Sequence, residues 1–151
     1  MATKFKNIVI TGASSGIGEA LTEYYAQKGA ENIFICGRNV ERLEKVADIS
    51  REYKCNIYSK IIDVTDSEQL KSWIEEANQI APLNLVVANA GVATLEETPE
   101  NIYNTFNINI MGVLHTILPA LDIFKKRENE CFFIGVSVKM HKIVEKWGVF
   151  L

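Results

Sequence analysis

Residues Ile8-Val9-Ile10-Thr11-Gly12-Ala13-Ser14-Ser15-Gly16-Ile17-Gly18 decide how the rest of the chain is read. A short apolar run stops at three glycines, and a segment with helical spacing follows. The pattern predicts a strand, a tight turn and a helix N-terminus. The first N–H groups of a helix lack intrahelical partners and lie at the positive end of its dipole, so such a turn is a ready anion site. Glycine gives the turn unusual φ angles and lets a phosphate come close to the backbone. The same turn could also do no more than join a strand to a helix. The spacing, G-x-x-x-G-x-G, differs from the G-x-G-x-x-G dinucleotide fingerprint, and no Gly-Lys-Ser/Thr follows as in a P-loop.

Outward from this turn, strand and helix patterns alternate. The first strand is expected over residues 6–12. Residues 16–29 read as a helix with Ile17, Leu21, Tyr24, Tyr25 and Lys28 at helical spacing, closed by Gly29. Ile33 to Cys36 is a second strand, apolar throughout as a two-sided buried strand should be. Asn39 caps a helix to about residue 53, with Leu43 and Val46 inward. A third strand covers 56–62. Asp66, with Gln69 as its reciprocal partner, opens a helix to about Ile80. Leu85 to Ala88 is the fourth strand. Thr98-Pro99 starts the longest helix, which runs to about Lys126 and is bent by Pro119. Cys131 to Ile134 is the fifth strand. The expected fold class is α/β: a doubly wound, Rossmann-like parallel sheet of five strands with helices on both faces. Its crevice should lie at the carboxyl ends of the first and fourth strands, where Gly12–Gly18 and Asn89–Gly91 converge.

The composition fits one domain. The chain has 151 residues, 48% of them hydrophobic and 23% charged, with a net charge of −3. A chain of this size buries roughly 70% of its unfolded surface, enough for a real core. Lys and Arg are scattered among acids, which argues against nucleic acid. No unbroken apolar stretch approaches about 18 residues, so no membrane span is expected. Cys36, Cys55 and Cys131 are odd in number and lie in or beside strands, as reduced thiols of a cytoplasmic protein would. No His/Cys spacing suggests a metal, and His115 and His141 are isolated.

The residue at the end of the second strand, about 20 positions past the first glycine, should meet the adenine ribose of a dinucleotide. An acid there would bind the 2′-OH of NAD. The chain has Cys36-Gly37-Arg38-Asn39 instead. Arg38 offers a permanently charged fork suited to a phosphate, and a charge-assisted contact is worth roughly 1.5–3 kcal/mol. NADP is therefore expected over NAD. The alternative is that Arg38 is a solvated loop charge.

The glycine turn, with Thr11 before it and Ile17 inside it, resembles the cofactor turn of the short-chain dehydrogenase/reductase family. Other stretches extend the likeness over residues 6 to about 136. Asp63-Val64 is similar to the family's Asp-Val that contacts the adenine edge. Asn89-Ala90-Gly91 resembles its Asn-Asn-Ala-Gly, here preceded by Ala88. Asn109-Ile110-Met111-Gly112 resembles its helix motif, whose Asn joins the proton relay. The resemblance implies a dinucleotide held by Gly12, Ser14, Ser15, Gly16, Ile17, Gly18, Arg38, Asp63, Val64, Asn89, Ala90 and Gly91. It also implies hydride exchange with a small carbonyl or alcohol substrate. On physical grounds alone, Asn109 lies among Phe106, Ile108, Ile110 and Val113 and needs partners if buried, so a backbone-bonded core Asn is the other reading.

The likeness breaks after the fifth strand. The family's proton donor is a tyrosine four residues before a lysine, on a helix beyond that strand. The only Tyr-x-x-x-Lys here is Tyr24 with Lys28, on the first helix, and no tyrosine follows Tyr103. Ser137 is the candidate for the family's substrate-binding serine, although the usual Ser-Ser pair is replaced. Residues 1–137 are thus expected to form a partial dinucleotide-binding domain, with 138–151 a tail unlike the family. A frameshift or early stop, a fragment, or a genuinely shortened protein would each explain the break, and the first is favoured. Two further functions stay open: a non-catalytic dinucleotide-binding remnant, and an oligomerisation partner for intact relatives. Ile102, Phe106, Ile110, Val113, Leu114, Ile117 and Leu121 are too many apolar residues for a helix covered on one side. Self-association as a dimer or tetramer is expected, through this helix or the outer edge of the fifth strand, unless the tail folds back over the helix.

Overall fold

A computed structural model of the chain describes residues 2–127 and 132–135. Strand β1 is Asn7–Thr11, helix α1 Gly16–Gln27, β2 Asn32–Gly37, α2 Val40–Arg51, β3 Asn56–Ile61, α3 Ser67–Ile80 and β4 Leu85–Ala88. Helix α4, Pro99–Phe106, passes through a π-helical turn, Asn107–Met111, into α5, Gly112–Lys125; β5 is Phe132–Gly135. The five strands form one sheet of order β3-β2-β1-β4-β5, every pair parallel. The order reverses between β1 and β4, so the chain leaves their carboxyl ends toward opposite sides and leaves a crevice between. The doubly wound fold is the one expected.

Strand residues alternate between two cores, as a period of two demands. Ile8, Ile10, Ile33, Ile35, Leu85 and Val87 face α1 and α2, where Tyr25, Leu43 and Val46 meet them. Val9, Phe34, Cys36 and Val86 face the other side, against Leu70, Trp73 and Ile74 of α3 and Ala120 and Phe124 of α5. Asn39, Asp66 and Thr98 cap α2, α3 and α4, their side-chain oxygens accepting from the N–H groups of Arg42, Gln69 and Asn101. Gly29, at φ +84°, closes α1 in a Schellman turn: its N–H bonds the Ala26 carbonyl at 3.1 Å, and that of Ala30 bonds Tyr25 at 3.0 Å.

Helix α1 matches the expected face only in part, with Tyr25 and Leu21 against the core. On α1 the buried stripe is Gly18, Thr22, Tyr25 and Ala26, while Ile17 and Tyr24 are half exposed. Beside the β1 turn that face must be small, because α1 is pressed hard against it: a Cβ added at Gly18 would stand 2.3 Å from the Gly12 carbonyl oxygen. On the long helix the buried positions are Thr105, Ile108, Gly112, Thr116, Ala120 and Phe124. Phe106, Ile110, Leu114 and Leu118 point outward. The π turn was not expected either. By length and composition Pro99–Lys125 could cross a membrane, although no unbroken apolar run reveals it in the sequence; here it packs against α3 and β4.

Candidate functional site

The carboxyl ends of β1 and β4 are stapled together by side chains. The Thr11 hydroxyl accepts the N–H groups of Asn89 (3.1 Å) and Ala90 (3.2 Å). The Asn89 amide nitrogen donates to the carbonyls of Thr11 and Gly12, both at 3.0 Å. Thr11 and Asn89 are buried, so these bonds satisfy groups that would otherwise be stranded away from water. Gly12 adopts φ +67°, and a Cβ there would stand 2.6 Å from the Ala90 Cα. The turn can therefore lie directly on the start of the β4 loop only because residue 12 is glycine.

Helix α1 opens from this turn, and its Ncap Ser15 makes no side-chain capping bond. Helices α2, α3 and α4 all have such a cap. The first amides of α1 are thus left without a side-chain acceptor where the dipole is most positive. They border a cavity of about 540 Å³. Eleven of the residues singled out in the sequence line it together: Gly12, Ser14, Ser15, Gly16, Ile17, Arg38, Asp63, Val64, Asn89, Ala90 and Gly91. Gly18 stands behind the turn, against the Gly12 carbonyl and Asn89. Asn109 also stands back from the cavity. Its side-chain oxygen accepts the Val92 N–H at 2.8 Å and its amide nitrogen donates to the Val92 carbonyl at 2.9 Å. Ser137, with Cys131 and His141, lies outside the described residues.

At the far end of the cavity, Arg38 Nη1 lies 3.7 Å from Asp63 Oδ2, with both side chains substantially exposed. Partial burial pushes the Asp63 carboxyl up, but bonds from the Thr65 N–H and hydroxyl, together with Arg38, outweigh it and hold the pKa below its ordinary value. A pKa lowered by folding gives stability that is fully present above the unfolded value and lost as pH falls through the folded one. Asp63→Asn is therefore expected to flatten the decline of stability below about pH 4. Urea midpoints of both proteins across that range check this, and parallel curves would refute it.

Sequence reading missed Gly37, Asn39, Arg42, Ile62, Val92 and Ile108, which also line the cavity. Arg42 was the most accessible of these to foresight. It follows Arg38 by four residues, on the first turn of a helix whose Asn39 cap was recognised, and that turn starts beside the end of β2. The thiol of Cys36 lies under the turn, where complete burial pushes its pKa up to about 12 against the opposing Gly12 backbone bond. Burial likewise raises Cys55, to about 11. Both are free thiols.

Residues 6–139 match the family described as short chain dehydrogenase. An uncharacterized oxidoreductase of Staphylococcus saprophyticus is 32% identical over 145 residues, which cover 93% of this chain and 58% of the relative. A 3-dehydrosphinganine reductase of Arabidopsis thaliana is 30% identical over 132 residues, covering 83% of this chain and 39% of the relative. Among solved structures, an alcohol dehydrogenase from the archaeon Thermococcus sibiricus, complexed with 5-hydroxy-NADP, is 32% identical. It superposes with a TM-score of 0.72 over 80% of this chain and 54% of its own. An NAD⁺-bound xylitol dehydrogenase, at 24% identity and a TM-score of 0.76 over 87% of this chain and 53% of its own, shares the fold. The chain spans about half the length of the curated relatives it matches.

Proposed function

The chain belongs to the short-chain dehydrogenase family, and from that premise we propose that it forms the NADP-binding part of an oxidoreductase acting on a small carbonyl or alcohol. The observation that carries this reading is the uncapped N-terminus of α1 at a glycine turn, inside a cavity that ends in arginine rather than a carboxylate at the close of β2. The residues present fit the cofactor. Gly12 and Gly16 keep side chains out of the turn, since a Cβ at Gly12 would strike Ala90 and both glycines have positive φ. The N–H groups of Ile17 and Gly18, with the hydroxyls of Ser14 and Ser15, would hold the pyrophosphate. Arg38 would take the 2′-phosphate, Asp63 and Val64 the adenine, and Asn89, Ala90 and Gly91 the ribose side. A bound dinucleotide supplies the hydride donor or acceptor. Asn109 would serve the family's proton relay, and Ser137 would hold the substrate oxygen.

The 151 residues place no Tyr-x-x-x-Lys after β5. Proton transfer by a positioned group is typically worth about 10²–10⁴-fold. This polypeptide on its own is therefore proposed to bind NADP with little or no turnover, and the dinucleotide-binding remnant is the second reading. Calorimetry with NADP and NAD, followed by a panel of ketones with NADPH, tests both. NAD binding as tight as NADP would overturn the cofactor assignment. Rapid ketone reduction would overturn the claim of impaired chemistry. A reduced, cytoplasmic setting suits the free buried thiols of Cys36 and Cys55.

Self-association is proposed through the outer face of the long helix, where Tyr103, Phe106, Ile110, Met111, Leu114 and Leu118 are exposed together. A contiguous apolar face of this kind marks an interaction surface. Leu118→Glu is expected to lower the sedimentation coefficient toward that of a monomer. A wild-type chain already monomeric at high micromolar concentration would sink the idea.

A further inference from the structure

The loop after β3 lines the cavity and is contacted by a helix nearly fifty residues further along the chain. His115 on α5 is partly buried, with its Nδ1 2.8 Å from the Val64 carbonyl oxygen. A carbonyl can only accept, so Nδ1 carries the proton and donates. One turn earlier on the same helix, Gly112 lies so close to the loop that an added Cβ would stand 2.5 Å from Val64 Cγ2. The helix therefore touches Val64 twice, once by shape and once by a directed bond. Val64 and Asp63 both line the cavity. Asp63 is fixed in turn by Thr65 and faces Arg38.

We propose that His115 is a positioning residue for the adenosine half of the dinucleotide. It acts through the Val64 carbonyl, holding the Asp63-Val64 wall at the distance an adenine ring requires. The inference rests on the dinucleotide reading but not on the preference for NADP, because the wall meets the adenine of either coenzyme. It also gives the isolated histidine of the sequence a role other than filling the core.

The test uses the full chain and adenosine 2′,5′-bisphosphate, a probe with the adenosine end and no nicotinamide, alongside NADP and NAD. His115→Phe keeps the ring's bulk and removes the donor, whereas His115→Gln keeps a donor. H115F is expected to weaken all three ligands about fivefold to tenfold, the size of one hydrogen bond, with their ratio unchanged. H115Q should bind within about twofold of wild type on the same scale. A purely structural histidine would lower the melting temperature without moving these affinities. Should H115F fail to fold, His115→Leu removes the donor in a smaller side chain. H115F or H115L binding as tightly as wild type, or H115Q binding no better than either, would overturn this inference alone. A wild-type chain that binds none of the three ligands would overturn the dinucleotide reading and this inference with it.

Discussion

Gly18→Ala is expected to destabilise the chain by about 3 kcal/mol or more, at the upper end of what an overpacked methyl costs. The same substitution should weaken dinucleotide binding at least about tenfold, which needs only about 1.4 kcal/mol of lost contact energy. The methyl would stand 2.3 Å from the Gly12 carbonyl oxygen, 2.5 Å from the Asn89 amide nitrogen and 2.9 Å from the Ala13 Cα. Two of those atoms are backbone and cannot swing aside. The third belongs to a side chain that donates to Thr11 and Gly12, so moving it breaks buried hydrogen bonds. Either α1 lifts from the sheet or the β1–β4 staple opens, and the cavity changes shape in both cases. Gly16 provides the control. A Cβ there meets nothing within 4 Å, but φ is +61°. Gly16→Ala should therefore cost only the left-handed strain, about 1–2 kcal/mol. Urea denaturation of the two variants separates crowding from strain, and titration of the Gly18 variant with NADP checks the loss of binding. Equal, small losses at both positions would refute the packing account of Gly18.

That contrast shows which parts of the molecule the sequence discloses. Strand and helix order was legible because buried parallel strands are apolar on both faces and their caps are chemically distinctive. Asn39, Asp66 and Thr98 all cap where expected. The convergence of Gly12–Gly18 with Asn89–Gly91 was legible too, because the strand order follows from general rules of crossover and reversal. The buried face of α1 was legible only at Tyr25 and Leu21. Hydrophobic periodicity favours large side chains, and this interface selects small ones because backbone meets backbone at Gly18. The long helix inverts the same rule. Its sheet side is built from Thr105, Gly112, Thr116 and Ala120, and its apolar bulk faces outward. The π turn could not be read from residue spacing, since one extra residue per turn leaves no periodic mark over five positions. Asn109 was legible as a polar residue needing partners, but its bidentate grip on Val92 required the fold. Arg42 stands on a helix's first turn like any solvated arginine, and only its place in the cavity lining distinguishes it.

Arg38→Ala should weaken NADP about 10- to 100-fold while leaving NAD within about twofold, on the 1.5–3 kcal/mol scale of a charge-assisted contact. Arg38 faces Asp63 at 3.7 Å, with both side chains partly in solvent. An exposed pair of that kind contributes about 0–1 kcal/mol, so it presents a weak competitor to a phosphate carrying close to two charges. The guanidinium can turn from the carboxylate to the phosphate at little cost, and Asp63 keeps its Thr65 bonds when it does. Arg42 lines the same cavity. Some preference for NADP should therefore survive in the single variant and vanish in the Arg38→Ala/Arg42→Ala pair. Arg38→Lys separates charge from shape: it retains the cation but loses the planar fork, and should fall between wild type and alanine. The affinities are best measured at two salt concentrations, because an ionic contact this exposed weakens as the Debye length shortens. Equal losses for NADP and NAD in Arg38→Ala would mean that Arg38 shapes the pocket without reading the 2′-phosphate, and the preference for NADP would then lose its physical basis.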